Sequence, residues 1–328
     1  MPYETIVGRT REDLEKFGTK TVGYIGKHIV GTGEDAHLTT KVLLDLMRPH
    51  VMLISGKRGS GKSYSAANII EEILSLDKEN LEKPATVIFD PVGIYWSMKL
   101  PNDQQIELLQ KWNLQPKAFP QIKVYVPAGL KEIYEEANIP VDYPILLSTR
   151  EFSADDWSTT FNLQRTSEFS IILEKNFNTL LATTEKFDID DMIEKINDDR
   201  QASEHVKNVL TSFLEVAKSW GIFSGEGMTI NDIVKPGQVS VIDLSRVAGE
   251  AWGVRNLLAA WVTKQIYQNR VIARKEEELA KVERRRPKNI FPLTWIIVEE
   301  AHNFVPSTGE TVSTQPLLTI AKQGREPG

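Results

Sequence analysis

A glycine-rich segment at residues 56–63 constrains the fold of this chain more than any other feature. Its sequence, GKRGSGKS, fits the pattern G-x-x-x-x-G-K-[ST]. The apolar run VMLIS at residues 51–55 precedes it and predicts a buried parallel strand. Residues 64–76 follow, with apolar side chains at helical spacing. Because a strand, a glycine loop and a helix together point backbone N–H groups at an anion, the sequence predicts a phosphate-binding loop.

This loop pattern assigns roles to two side chains. Lys62 is expected to reach the β- and γ-phosphates of a nucleotide, and the Ser63 hydroxyl is expected to bind Mg²⁺. The nucleotide is expected to be ATP, because the sequence has no Asn-Lys-x-Asp element for guanine. The residues predicted to contact the nucleotide are Gly56, Lys57, Arg58, Gly59, Ser60, Gly61, Lys62, Ser63 and Tyr64.

The composition is that of a globular protein without disulfides or thiolate metal sites. Of the 328 residues, 41% are hydrophobic and 26% are charged, and none is cysteine. No segment approaches the roughly 18 uninterrupted apolar residues of a membrane span, so we expect a cytoplasmic protein that does not engage the membrane. The formal net charge of −6 argues against nucleic acid covering the whole surface, but it allows a basic channel in an oligomer.

Two short patterns flank the loop region. Residues 31–36 superficially fit the dinucleotide pattern G-x-G-x-x-[GA], but no helical periodicity follows, so we interpret them as a hairpin-like turn. Residues 86–90 predict a second buried strand that ends in Asp90. This acid is either a strand-end cap or a functional group, because open α/β sheets bind ligands at the carboxyl ends of their strands.

The predicted domain organisation follows from a change of pattern near residue 97. From there to residue 236 the segments are amphipathic and mostly helical, over a length too great for one connection between a strand and a helix. We therefore predict a short N-terminal β segment at residues 1–48 and a nucleotide-binding core at residues 49–328, interrupted by a helical insertion at residues 97–236.

A strand predicted at residues 293–298 ends in two adjacent acids, Glu299 and Glu300. Hydrolysis needs an oriented metal and an activated water, and acids at a strand end beside a phosphate loop can supply both. We assign Glu299 to Mg²⁺ and Glu300 to the role of general base. We expect the strand at residues 51–55 to lie alongside this one, so that the loop and both glutamates converge on one triphosphate. His302 either reports the nucleotide state or makes a structural hydrogen bond.

Together these elements resemble the HerA branch of the HerA/FtsK superfamily. The resemblance covers about residues 22–96 and 236–328. It rests on GKRGSGKS, Asp90-Pro91 followed by Gly93 and Tyr95, VIDLS at 241–245, EEAHNF at 299–304, and AKQGREPG at 321–328.

The resemblance implies both a fold and a function. Members of this family are RecA-like hexameric ATPases that pump or unwind double-stranded DNA. The implied fold is therefore α/β, a RecA-like P-loop NTPase with a mainly parallel central sheet. The implied assembly is a homo-hexameric ring with ATP between subunits and DNA in the channel. Arg325 is implied to be an arginine finger that reaches the γ-phosphate of a neighbouring subunit. The implied partner is a NurA-like nuclease in repair, or a sirtuin-like or other effector protein in defence.

The sequence departs from the family pattern in three places. The N-terminal β-barrel is reduced to a short β segment, and Ile94 stands where the family has a glutamate. The chain also stops at Gly328, before the strand on which the family carries a γ-phosphate-sensing glutamine. We therefore expect the C-terminal part of the core to be truncated.

A function of a different class stays open. The acidic balance and the reduced barrel also suit a non-motor ATPase that orders a ring around an effector enzyme. A secretion or conjugation motor of related fold would be expected to carry a membrane segment, and the sequence predicts none.

Overall fold

The computed structural model describes residues 4–247, 252–288 and 290–327. Residues 1–3 and Gly328, which belong to the predicted domains, lie outside the described residues. The strands are β1 (Thr5–Val7), β2 (Val22–Val30), β3 (His37–Asp45), β4 (Pro84–Asp90), β5 (Ile122–Pro127), β6 (Tyr143–Ile145), β7 (Leu147–Ser148), β8 (Phe223–Ser224), β9 (Val239–Asp243) and β10 (Leu293–Val298). The helices are α1 (Arg11–Phe17), α2 (Lys62–Leu74), α3 (Lys78–Leu81), α4 (Ile106–Lys111), α5 (Lys131–Glu136), α6 (Ala154–Thr160), α7 (Glu168–Thr183), α8 (Ile189–Asn197), α9 (Glu204–Ser219), α10 (Ile230–Ile233), α11 (Trp252–Val282) and α12 (Thr314–Gln323).

A five-stranded parallel sheet in the order β10-β4-β9-β5-β6 forms the centre of the fold. In its register, Val298 of β10 lies beside Phe89 of β4, and Asp90 of β4 lies beside Asp243 of β9. Because parallel strands all end at the same edge, the carboxyl ends of β10, β4 and β9 meet there, at the edge where such sheets bind ligands. The predicted α/β fold of the RecA-like P-loop type is confirmed.

Alternation along β4 shows how both faces of this sheet are buried. Val87 and Phe89 belong to a large apolar cluster that includes residues of α7, α8, α9 and α11. Ile88 belongs to a second cluster, with Ala66 and Ile70 of α2. Successive side chains of a strand lie on opposite faces, so α2 covers one face and the other helices cover the opposite one. This two-sided burial explains why β4 is an almost continuous apolar run.

A second sheet, in the order β1-β3-β2, lies at the N-terminal end of the chain. Its antiparallel β2–β3 pair confirms the predicted hairpin. Leu44 and Leu46 pack with Ile69 and Ile73 of α2 and with Trp295 of β10. The indole Nε1 of Trp295 donates a hydrogen bond to the Leu46 carbonyl at 3.3 Å. The N-terminal sheet is thereby fixed against the helix that follows the glycine loop.

Two polar side chains of α2 also bind the peptide groups of one residue in β2. The N–H of Tyr24 donates to Glu72 Oε2 at 2.7 Å, and Asn68 Nδ2 donates to the Tyr24 carbonyl at 3.0 Å. The strand pairing is irregular between Tyr24 and Gly26, where the register to β3 shifts. Such an irregularity removes backbone groups from the ladder, and here α2 binds them.

Residues 51–55, before the glycine loop, do not form the buried strand that their sequence predicts. They pair with no strand in the described part of the chain, and β10, the expected neighbour, is paired only with β4 there. Val51 is 75% exposed and Leu53 is 90% exposed. An apolar run becomes a strand only when its backbone groups pair with a neighbouring strand, and residues 51–55 make no such pairing among the described strands. The predicted strand and its expected pairing with residues 293–298 are therefore wrong.

The range 97–236, expected to be mostly helical, also contributes two strands to the central sheet. β5 and β6 lie within it, and β5 pairs with β9. The sequence favours helix in this range because the longer segments, α7 and α9, are amphipathic helices. β6 has only three residues, which is too short for a periodicity to show.

The long helix α11, with 31 residues, follows β9. Its first half is buried, whereas its second half is charged and leads into the basic cluster at residues 284–288. In that cluster, Arg285 pairs with Glu276 and with Glu283, each at 2.5 Å, so its charge is matched by acids of the helix and of the turn that follows it. Among the described helices, none combines the length and the apolar character that crossing a bilayer requires.

Candidate functional site

The glycine loop turns directly into the first turn of α2. Gly59 and Gly61 have positive φ angles, 77° and 88°, in the region that glycine adopts most readily. α2 then begins at Lys62 and continues for 13 residues. The first N–H groups of a helix have no partner within the helix, and its N-terminus carries a partial positive charge. The structure thus places a helix start, suited to an anion, where the sequence predicts it.

The loop is also closely packed at Gly56. A side chain at Gly56 would overlap the side chain of Ser60. The ammonium group of Lys62 lies back over the loop, where Nζ donates to the Lys57 carbonyl at 3.4 Å. Residues 56–60 are all exposed, so a ligand can reach both the loop backbone and this ammonium group.

Two further predicted contact residues, Arg58 and Tyr64, are also exposed. The Tyr64 hydroxyl donates to Gln105 Oε1 at 3.0 Å, which ties the first turn of α2 to the residue before α4. Neither side chain forms a hydrogen bond to Glu299 or Glu300 within the described ranges.

Glu299, directly after β10, meets the first turn of α2. Its Oε1 accepts a hydrogen bond from Ser63 Oγ at 2.7 Å, across a separation of 236 residues in the sequence. Its backbone N–H donates to the Phe89 carbonyl at 3.1 Å and so continues the pairing of β10 with β4. Glu299 is 8% exposed. The structure thus brings together the two residues that the sequence predicts to bind Mg²⁺.

Tyr95 makes the second contact to this carboxylate. Its hydroxyl donates to Glu299 Oε2 at 2.7 Å, and the residue is 1% exposed. Burial is the main cause that raises the pKa of Tyr95, and the hydrogen bond to Glu299 raises it further. The hydroxyl therefore stays protonated and remains a donor. The sequence alone assigns Tyr95 no role beyond membership of the family element; its position 5 residues after the strand-end Asp90 is the signal that places it near the site.

Asp90 acts as a cap of the turn that follows β4. Its carboxylate accepts hydrogen bonds from the four N–H groups of residues 92–95, at 2.7 to 3.1 Å. Burial raises the pKa of Asp90, and these hydrogen bonds oppose that shift. Within the described chain no hydrogen bond joins Asp90 to Ser63 or Glu299. Of the two interpretations of this acid, the geometry supports the strand-end cap.

Glu300 differs from its neighbour in backbone and surroundings. Its φ and ψ angles, 49° and 52°, lie in the left-handed region that residues other than glycine seldom adopt. Its side chain is 39% exposed, and Oε2 lies 3.3 Å from His302 Nδ1. His302 therefore contacts the second acid, while both hydroxyl contacts described above go to the first.

Arg325 lies in the segment after α12 and is exposed. No hydrogen bond or ion pair joins it to the loop, Glu299 or Glu300 among the residues that the structure describes. The end of this segment is fixed by Arg270 of α11, which is 2% exposed. The Arg270 guanidinium donates from Nε to the Pro327 carbonyl at 3.0 Å and from Nη1 to the Phe291 carbonyl at 2.5 Å.

The donor set at the loop fits Mg²⁺ in its chemistry. The Ser63 hydroxyl and the Glu299 carboxylate are hard oxygen ligands, which Mg²⁺ prefers, and Mg²⁺ commonly binds one or two protein groups together with substrate phosphates and water. The described residues contain no group of three or more His, Cys, Asp or Glu that could hold a metal by themselves. Ser63 and Glu299 therefore suit a metal ion that is bound together with a nucleotide phosphate.

Comparison with family models matches residues 24–265 to the family described as "Helicase HerA, central domain". The matched range is well over half of the chain and includes the glycine loop, α2, Tyr95 and the helical region. It ends before Glu299, Glu300 and Arg325, whose placement therefore comes from the structure. A search of curated proteins gave no match.

Proposed function

The chain belongs to the family of the HerA helicase central domain, and from this premise we propose that it is an ATP-hydrolysing translocase or helicase subunit acting on double-stranded DNA. Membership implies an ATPase of the HerA/FtsK type, and coupling to DNA is the proposed step. The observation that carries the proposal is the hydrogen bond between Ser63 and Glu299, at 2.7 Å. It joins the phosphate loop to the strand-end acid, as Mg²⁺-dependent nucleotide hydrolysis requires.

The proposed binding roles follow from the first turn of α2. The backbone N–H groups of residues 56–64 and the Lys62 ammonium bind the phosphates of ATP. Ser63 and Glu299 would hold Mg²⁺ through their oxygen atoms. When bound, the metal supplies positive charge that neutralises the phosphate oxygens. The short Ser63–Glu299 contact supports this assignment, because both groups already lie within one hydrogen bond of each other.

Glu300 is proposed as the general base that accepts a proton from the attacking water. Its side chain is 39% exposed and is free of the hydroxyl contacts that hold Glu299, so its oxygens can bind water. Positioned general bases contribute roughly 10²- to 10⁴-fold to rate. The left-handed backbone at Glu300 supports a special role, because residues held in such conformations concentrate at functional sites.

Arg325 is proposed to act on the nucleotide of a neighbouring subunit in a homo-hexameric ring with DNA in its channel. Its exposure, together with the lack of any bond to its own loop within the described residues, supports action across a subunit interface. An arginine supplied in this way raises rates by about 10³- to 10⁵-fold. The proposed partner is a nuclease of the NurA kind or a defence effector, and family membership is the support for it.

The proposed domain division keeps a boundary near residue 48 and a core from residue 49 onward. The separate N-terminal sheet supports that boundary. Within the range 97–236, β5 and β6 belong to the central sheet, so the helices α6 to α9 are the part of this range that we propose as an addition to the core.

Substitution of Lys62 tests the ATPase proposal. In the full chain, Lys62→Ala is expected to abolish DNA-stimulated ATP turnover, because the loop loses its phosphate-binding ammonium group. Lys78→Ala is the matched control: that side chain is 90% exposed, in α3, and pairs only loosely with Glu82 at 4.0 Å. Turnover of Lys62→Ala equal to that of the unmodified chain would refute the proposal.

A salt series tests the coupling to DNA. Fluorescence anisotropy of a labelled duplex should show binding that weakens steeply with salt, because each neutralised phosphate releases counterions. ATP turnover without duplex binding at low salt would instead favour the non-motor ATPase that orders a ring around an effector.

A further inference from the structure

We infer that Tyr95 is a positioning residue for the metal-binding carboxylate of this ATPase: its hydroxyl holds Glu299 from the side opposite to Ser63. The inference rests on the proposed function, since the orientation of Glu299 matters only if the site binds ATP with Mg²⁺. It assigns a task to a buried side chain that neither the loop pattern nor the pair of strand-end acids includes.

The geometry fixes the carboxylate of Glu299 at both oxygens. Oε1 accepts from Ser63 Oγ and Oε2 accepts from Tyr95 Oη, each at 2.7 Å. A glutamate side chain has a soft final torsion, so a single contact would leave the carboxylate plane free to rotate. Two contacts on different oxygens remove that freedom. Each oxygen has a second lone pair, so the carboxylate keeps acceptor capacity for Mg²⁺ after both hydrogen bonds have formed.

Tyr95 is itself held rigidly. Its ring is 1% exposed and belongs to the apolar cluster that joins α2 to the sheet, with Ile70, Ile88 and Val241 among its members. A buried tyrosine hydroxyl needs a partner, because an unpaired hydroxyl there would lose its bonds to water. Glu299 is that partner. Packing therefore determines where the hydroxyl lies, and the hydroxyl determines where Glu299 Oε2 lies.

The backbone of Tyr95 is anchored independently at the end of β4. Its N–H donates to Asp90 Oδ2 at 2.9 Å, as one of the four N–H groups that this carboxylate binds. Gly93, within the same turn, has a φ of 78°, and a side chain there would collide with Ser245. The turn is thus set by Asp90 and Gly93, and it presents the tyrosine to β10. Asp90 acts on the metal site through Tyr95, which gives a reason for an acid at this strand end in addition to capping.

Positioning by Tyr95 predicts a defect in metal dependence. Tyr95→Phe keeps the ring and its packing and removes only the donor to Glu299. In the full chain, binding of a fluorescent ATP analogue is measured at increasing Mg²⁺ concentrations. We expect binding of the analogue without Mg²⁺ to be unchanged. The Mg²⁺ concentration that gives half of the metal-induced change in analogue binding should rise about 10- to 100-fold, because losing a group that orients a metal ligand usually costs that much affinity.

Tyr125→Phe is the matched control. Tyr125 is also fully buried in the sheet, and its hydroxyl donates to the Asp232 carbonyl at 2.8 Å, two strands away from β4. It should keep the Mg²⁺ dependence of the unmodified chain. A double variant separates positioning from general damage. If Tyr95 acts through Glu299, adding Tyr95→Phe to Glu299→Gln should not raise the required Mg²⁺ concentration above that of Glu299→Gln alone.

The outcomes distinguish this inference from the proposed function. ATP binding with the same Mg²⁺ dependence in Tyr95→Phe and the unmodified chain would overturn the inference and leave the ATPase proposal intact. An equal defect in Tyr125→Phe would also overturn it, because any loss of a buried hydroxyl would then suffice. Failure of the unmodified chain to bind the ATP analogue would overturn both.

Discussion

Glu299 and Glu300 are adjacent in the sequence but have opposite surroundings at the end of β10. Glu299 is 8% exposed and accepts hydrogen bonds from Ser63 and Tyr95, whereas the side chain of Glu300 is 39% exposed and lies near His302. Two carboxylates with different surroundings can perform different tasks, and this difference is the basis for assigning one to metal binding and the other to proton transfer.

Substitution of Glu300 should separate binding from turnover. Glu300→Gln keeps the size of the side chain and removes its ability to accept a proton, so we expect ATP binding to be unchanged and turnover to fall roughly 10²- to 10⁴-fold. Glu310→Gln is the control, since Glu310 is exposed and, among the described residues, its side chain is bonded to Gln315 alone, at 3.0 Å. Normal turnover in Glu300→Gln, measured by phosphate release, would remove Glu300 from the role of base.

Replacement of Arg270 should destabilise the fold around the segment that carries Arg325. Arg270→Met leaves the Phe291 and Pro327 carbonyls without their donor, and we expect the free energy of unfolding to fall by about 2 to 4 kcal/mol. Arg274→Met, one turn further along α11 and 50% exposed, should change it by less than about 1 kcal/mol. Urea titration measures both values, and equal effects would show that the buried contacts of Arg270 are not the cause.

Asp199 gives a prediction for acid stability. Its side chain lies 2.8 Å from Lys175 Nζ, and Asn176 Nδ2 and the Gln201 N–H also donate to it, at 2.9 Å each. The hydrogen bond from Lys175 is the main cause that lowers the pKa of Asp199 to about 2. The Asp199 carboxyl therefore binds a proton less tightly in the folded state than in the unfolded state. The contribution of ionised Asp199 to the free energy of unfolding is complete above about pH 4 and is lost as the pH falls towards 2.

The test compares two neighbouring aspartates. Asp199→Asn should lower the free energy of unfolding at pH 7 by about 1 to 2 kcal/mol, after allowance for the solvent exposure of Lys175, and the difference should shrink near pH 2. Asp198→Asn, at an exposed position, should change it by less than about 0.5 kcal/mol. A difference for Asp199→Asn that stays constant from pH 7 to pH 2 would contradict the assigned cause.

The parts of the fold that sequence predicts are those whose signal is local. α2 follows from apolar positions at helical spacing after a glycine loop, and β4 and β10 follow from apolar runs that end in acids. The proximity of Ser63 and Glu299 was also predictable, because a phosphate loop and an acid at a strand end are expected to meet at one Mg²⁺-bound phosphate.

The parts that sequence misses depend on distant partners. Residues 51–55 have the composition of a strand, but strand formation requires a neighbour, and a run of five residues does not reveal whether one is present. The contact from Tyr95 to Glu299 joins two residues 204 positions apart and leaves no periodic trace in either segment. The left-handed backbone of Glu300 is equally hidden, since nothing in its residue type favours it.

Helix α2 contacts both the candidate phosphate site and the N-terminal sheet. Its first turn holds Ser63 against Glu299, and further along the same helix Asn68 and Glu72 hold the peptide groups of Tyr24. A helix rises about 1.5 Å per residue, so Asn68 and Glu72 lie roughly 8 Å and 14 Å along the helix axis from Ser63. Because one continuous helix carries both sets of contacts, a displacement of α2 at the phosphate end would be expected to shift the β2–β3 hairpin as well.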